Sequence, residues 1–117
     1  MKLPLIVERE SVLQSYGAGA TIFTCNDPGD VMYLVKSGEV DIIVNGRTVE
    51  TVVPGDILGE MALIDKGPRS ADARAKTDCE LQPITQRQFT FMVQETPFFA
   101  LEVMRTMSRR LRSKNCY

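Results

Sequence analysis

Gly55-Asp56-Ile57-Leu58-Gly59-Glu60-Met61-Ala62-Leu63-Ile64-Asp65-Lys66-Gly67-Pro68-Arg69-Ser70-Ala71 is the segment that breaks an otherwise strand-like chain. Gly59 lets the backbone approach a ligand closely. Glu60 to Ile64 is long enough for a single helical turn. The start of such a turn presents N–H groups and a partial positive charge, which suit an anion. Gly67-Pro68 turns the chain back and delivers Arg69, and a guanidinium grips a phosphate through paired hydrogen bonds. Glu60 beside an anion would be repelled by it and needs another task. A carboxylate can accept hydrogen bonds from a sugar hydroxyl.

On the N-terminal side the sequence reads as short strands between turn signals. Val12 to Tyr16 and Thr21-Ile22-Phe23 are two short segments, with Gly17-Ala18-Gly19 as the turn between them. Asp27-Pro28-Gly29-Asp30 places Pro and Gly where a type II turn wants them. Val31 to Val35 is apolar almost throughout, which predicts burial on both faces, and Lys36-Ser37-Gly38 ends it. Val40 to Val44, Asn45-Gly46 and Arg47 to Val53 predict a hairpin on a two-residue type I′ turn. In that register Ile42 faces Val49. Pro54-Gly55-Asp56 is the next turn.

On the C-terminal side, Ala71 to Ala75 alternates small and charged residues, which puts Ala71, Ala73 and Ala75 on one face. Leu81 to Ile84 is the last predicted strand, and Pro83 suggests an edge position. From Thr85 the period becomes helical, with Phe89, Met92 and Val93 leading to Glu95. Thr96-Pro97 reads as an N-cap and first helical position. The helix after it carries Ala100, Val103, Met104, Met107 and Leu111 as one apolar stripe. Arg105, Arg109, Arg110, Arg112 and Lys114 complement the end of its dipole, and Arg110 is also a candidate contact to a ligand. The expected fold class is therefore mainly β: an antiparallel β-roll, jelly-roll-like, with two C-terminal α-helices. One domain fills 1–117: an arm or short helix over 1–10, the roll over 11–85, and helices over 86–114.

The composition restricts the chemistry. The 117 residues are 44% hydrophobic and 25% charged, with a net charge of −1. These values fit one globular domain without the basic excess of a general nucleic-acid binder. There is no histidine, which excludes Ser-His-Asp and Cys-His catalysis and His-rich metal sites. The three cysteines, Cys25, Cys79 and Cys116, are odd in number and widely spaced, unlike a disulfide framework. No signal-peptide pattern and no apolar run of roughly 18 residues is present. A cytoplasmic binding protein without catalytic activity, metal or cofactor is the expectation, with no nucleic-acid or membrane partner.

The Gly59–Ala71 segment resembles the phosphate-binding cassette of the cyclic nucleotide-binding domain family. The family pattern of Gly-Glu-x-Ala-Leu, a short insert ending in Pro-Arg, then a small residue and Ala is matched by Gly59, Glu60, Ala62, Leu63, Pro68, Arg69, Ser70 and Ala71. The turns and strands upstream fall where the family places them. The resemblance covers nearly all of residues 11 to 112. It implies that Arg69 and backbone N–H groups near Met61, Ala62 and Leu63 hold a cyclic phosphate. It further implies that Glu60 holds the ribose 2′-hydroxyl and that Ser70 touches phosphate or base. A C-terminal helix would close over the base and transmit the binding event. The ligand implied is cAMP, with cGMP as the alternative because Ser70 keeps a hydroxyl after the arginine. A regulated protein partner, or a homodimer through the C-terminal helix, is the expected interaction. A degenerate, ligand-free domain of the same fold would be expected to lose Arg69 or Glu60, and both are present.

Overall fold

A computed structural model of the chain describes residues 12–113; the expected N-terminal arm, Lys114 and Cys116 lie outside them. Among the described residues eight strands are formed: β1 (Gln14–Tyr16), β2 (Thr21–Phe23), β3 (Val31–Ser37), β4 (Val40–Val44), β5 (Arg47–Val52), β6 (Ile57–Leu58), β7 (Asp72–Ala75) and β8 (Cys79–Thr85). The helices among the described residues are α1 (Glu60–Asp65), α2 (Gln86–Glu95) and α3 (Pro97–Arg112). The strands make two antiparallel four-stranded sheets, ordered β1-β8-β3-β6 and β2-β7-β4-β5. They form a roll, not a closed barrel. α1 sits in the crossover between the sheets, from β6 to β7.

β3 has the two-faced burial that its apolar run predicts. Tyr33 and Val35 join the roll interior with Val40, Ile42, Val52, Ala73 and Leu81. Met32 and Leu34 point the other way, into a second cluster with Ile57, Leu63, Ile84, Met92, Phe99 and Val103. That second cluster seats α2 and α3 on the outside of the first sheet. Period-two alternation along one strand thus supplies both cores. Ala71, Ala73 and Ala75 all face the interior, as their spacing predicts.

Four local expectations are corrected. First, Asn45-Gly46 does make the turn, with both residues at positive φ, but the ladder then slips. Val44 pairs with Arg47 and Ile43 with Thr48, while Ile42 pairs with Glu50. Val49 is the extra residue of a β-bulge, so it does not face Ile42. Second, β8 is interior to its sheet, between β1 and β3. Pro83 is tolerated because β1 reaches only Cys79 to Leu81, leaving Pro83 beyond its end. Third, the turn near residue 27 is closed from Asp27 N–H to Thr24 C=O with Asn26 at φ 73°, and Gly29 has no positive φ. Fourth, the apolar stripe of α3 divides. Phe99, Val103 and Arg110 are buried, whereas Met104 and Leu111 are 56% and 66% exposed. Helix α2 starts on a full capping box between Thr85 and Gln88, while Thr96 before α3 makes no side-chain cap bond.

Candidate functional site

The crossover segment puts most of its predicted residues around one hollow. Gly59 precedes α1 at φ 78°, a left-handed conformation that suits glycine. A Cβ there would also lie 2.5 Å from Arg69 Nη1. Gly29 is needed for the same reason from the other side, since its Cβ would meet Ala62 Cβ at 2.5 Å and Arg69 Nε at 2.9 Å. Two glycines thus leave room for one arginine. The backbone of Arg69 is clamped as well: its N–H donates to Asp27 C=O at 2.8 Å, and its C=O accepts from Asn26 N–H at 2.8 Å.

Arg69 is 4% exposed. Nη1 donates to Gly59 C=O at 3.0 Å and Nη2 to Val31 C=O at 2.8 Å. The guanidinium lies 4.2 Å from the centre of the Phe23 ring, a cation–π distance. Its buried Nε has no partner. Burial pulls its pKa below the ordinary arginine value, and Tyr33 and Asp30 oppose that shift. A guanidinium so constrained has a fixed plane and a donor to spare. Gly59, Met61, Ala62, Arg69, Ser70 and Ala71 line a small pocket with about 10 Å³ of free space, together with Phe23 and Ile42. The first-turn N–H groups of α1 have no acceptor within the helix.

Glu60 and Arg110 are placed differently. Glu60 is fully buried, with Oε1 accepting from Arg110 Nη1 and Oε2 unpartnered. Burial pushes its carboxyl above the ordinary value, and the Arg110 charge pulls it back. Arg110, 1% exposed, also donates from Nη2 to Ile57 C=O at 2.6 Å and to Glu50 Oε2 at 3.0 Å. Burial disfavours its charge, but Glu60 and Glu50 more than reverse this and raise its pKa. Leu63 packs its side chain into the cluster under the helices and does not line the pocket. Ser70 is exposed at the pocket rim.

Two residues at the site carry no sequence signal. Phe23 reads only as the end of a short strand, yet its ring supports Arg69. Glu50 points outward in a regular hairpin, and only the bulge brings it to Arg110. Met61 lines a second hollow of about 320 Å³ along α3, together with Met104, Met107, Ser108, Arg110 and Leu111. It is the wall that the two hollows share. Among the described residues, no cluster of potential metal ligands occurs, and no helix is long and apolar enough to cross a membrane.

Residues 13–96 match the model of the family described as cyclic nucleotide-binding domain. The chain is 36% identical over 102 residues to the cyclic AMP receptor protein of Thermus thermophilus, covering 83% of this chain and 47% of that protein. It is 43% identical over 76 residues to a cAMP-dependent protein kinase regulatory subunit of Aspergillus niger, covering 63% and 18%. The crystal structure of the Thermus thermophilus catabolite activator protein superposes with a TM-score of 0.81 at 32% identity, covering 94% of this chain and 54% of that one. The chain thus spans about half, or less, of the length of these relatives. A cassette that seats a buried arginine between two glycines, inside a roll of this topology, belongs with those matches: the chain is a member of the cyclic nucleotide-binding domain family.

Proposed function

We propose that the domain binds cAMP as a regulatory sensor. Arg69 and the first-turn N–H groups of α1 take the cyclic phosphate, and Glu60 takes the ribose 2′-hydroxyl. The observation that carries this reading is the Arg69 guanidinium, buried in the pocket wall with its Nε unpartnered. A buried donor without an acceptor is costly and calls for a partner. The unpartnered Oε2 of Glu60 supports the sugar assignment in the same way. The free space at Arg69 is about 10 Å³, room for about one water and far below the roughly 300–1,000 Å³ usual for small-molecule sites. The base therefore extends past Met61 into the hollow along α3, against Met107. Ser70 at the rim completes the phosphate end. Calorimetric titration with cAMP and cGMP tests this reading. The expected result is micromolar or tighter cAMP binding, with weaker cGMP binding. Hydrogen exchange on the same samples should show cAMP-dependent protection at 59–71 and 96–112. Absence of any heat at roughly millimolar nucleotide, the level of a −4 kcal/mol interaction, removes the proposal.

The partner surface is proposed on α3. Leu101, Met104 and Leu111 are exposed at 39%, 56% and 66%, and with Ser108 they follow the 3-4-3 spacing of a coiled-coil seam. A second copy of the chain, packed helix to helix, fits that stripe. Sedimentation of the wild type and of Met104→Glu tests it: a dimer is expected for the first and a monomer for the second. A monomeric wild type at high concentration rejects it.

A further inference from the structure

We propose that Glu50 is the positioning residue that holds α3 on the roll, acting through Arg110. The bulge at Val49 places Glu50 opposite Ile42 and, two residues on, Val52 opposite Val40. Val40, Ile42 and Val52 are buried hydrophobic residues of the roll interior. Glu50 is therefore a carboxylate on the inward face of its strand, with a side chain only 13% exposed. A carboxylate in that position is tolerated when it is paired. Its partners come from 59 and 60 residues away, on the last turns of α3. Glu50 Oε1 accepts from Arg110 Nε at 3.4 Å and Arg109 Nη1 at 3.2 Å. Oε2 accepts from Arg110 Nη2 at 3.0 Å and Arg109 Nη2 at 3.5 Å.

The two carboxylates divide the Arg110 guanidinium between them. Nη1 goes to Glu60, while Nε and Nη2 go to Glu50. The edge of the guanidinium with two donors, which fixes its plane, belongs to Glu50. Arg109 adds little, because its side chain is 52% exposed. Without Glu50, Arg110 would keep Glu60 at Nη1 and the Ile57 C=O at Nη2, but its Nε would lose its acceptor and Nη2 its charged partner. On the reading given above, a ribose hydroxyl then draws on Glu60, and this part of the inference rests on that reading. Glu50 keeps Arg110 in place while Glu60 is shared, so ligand and helix do not compete for one carboxylate.

The test begins without ligand. Hydrogen exchange across 97–112 is compared in wild type, Glu50→Gln, Arg110→Lys and the double variant, with thermal unfolding confirming that each is folded. Glu50→Gln keeps the size of the side chain, removes its charge and turns one of its two acceptor oxygens into an NH2 donor. It should speed exchange in the last turns of α3 by about tenfold, the scale of one lost charge-assisted hydrogen bond. Exchange in β4 and β7 should not change. The double variant should match Arg110→Lys alone, because a residue acting through another adds nothing once that other is altered. Unchanged exchange in Glu50→Gln, or additive effects in the double variant, overturns the proposal. A second arm measures cAMP dissociation, expected to be about fivefold or more faster in Glu50→Gln by the same argument; an unchanged rate with α3 loosened overturns the sharing of Glu60. A wild type that binds no cAMP removes the proposed function, while the ligand-free arm still decides the role of Glu50.

Discussion

Replacing Arg69 with alanine is expected to weaken cAMP binding by about 2–5 kcal/mol, the usual loss when one member of a buried, hydrogen-bonded charge pair is truncated. The phosphate would keep only the backbone N–H groups of α1. The substitution also affects the fold. Arg69 donates to Gly59 C=O and Val31 C=O, and leaving buried carbonyls short of a donor costs about 1–3 kcal/mol. Binding must therefore be measured where thermal unfolding shows the variant to be folded. Arg69→Lys separates the two effects. Lysine restores the charge but not the planar fork, so affinity should fall between those of wild type and Arg69→Ala. Glu60→Ala should reduce affinity less than Arg69→Ala, because a sugar hydroxyl is neutral and water can replace the carboxylate. The reverse order, with Glu60→Ala the more damaging, would show that the two roles are wrongly assigned.

The sequence made the cassette legible because its constraints are local. Gly59, Glu60, Pro68 and Arg69 lie within one crossover, and their spacing alone brings the first turn of α1 next to a guanidinium. β3 was equally legible, since a run of apolar residues on both faces of a strand requires something packed on each side. What the sequence hid depends on long-range pairing. Glu50 meets Arg110 only because one extra residue in β5 reverses its direction, and no local pattern distinguishes a bulged hairpin from a regular one here. Gly29 reads as a turn glycine, and its actual constraint is the approach of Ala62 and Arg69 from the cassette. The division of the α3 stripe has the same origin. Helical spacing groups Val103 with Met104 and Leu111, but only the side of α3 packed on the first sheet is covered, and it carries Phe99, Val103 and Arg110. A fully buried arginine is the opposite of what a run of basic residues at a helix end suggests.

Arg110→Ala should cost about 3 kcal/mol or more of folding free energy near neutral pH, because it strands the carboxylate of Glu60 in a fully buried position. The expected pH dependence distinguishes this cause from lost packing. Burial already holds the Glu60 pKa above its ordinary value, and Arg110 is the first influence pulling it back. Without Arg110 the folded-state pKa rises further, while the unfolded-state value stays put. In the window between the two, the folded protein binds more protons than the unfolded one, so stability falls as pH rises through that window. The deficit of the variant relative to wild type should therefore be small in acid, where Glu60 is protonated and needs no partner, and should grow toward neutral pH. Glu50 lies near enough to add to the effect, since its charge also raises the Glu60 pKa. Urea unfolding of both proteins at pH 5 and pH 7.5 measures the deficit directly. An equal deficit at both values would mean that Arg110 stabilises the domain by filling space under α3, with its charge immaterial. A deficit that grows with pH would locate the link between cassette and helix in the ion pair itself.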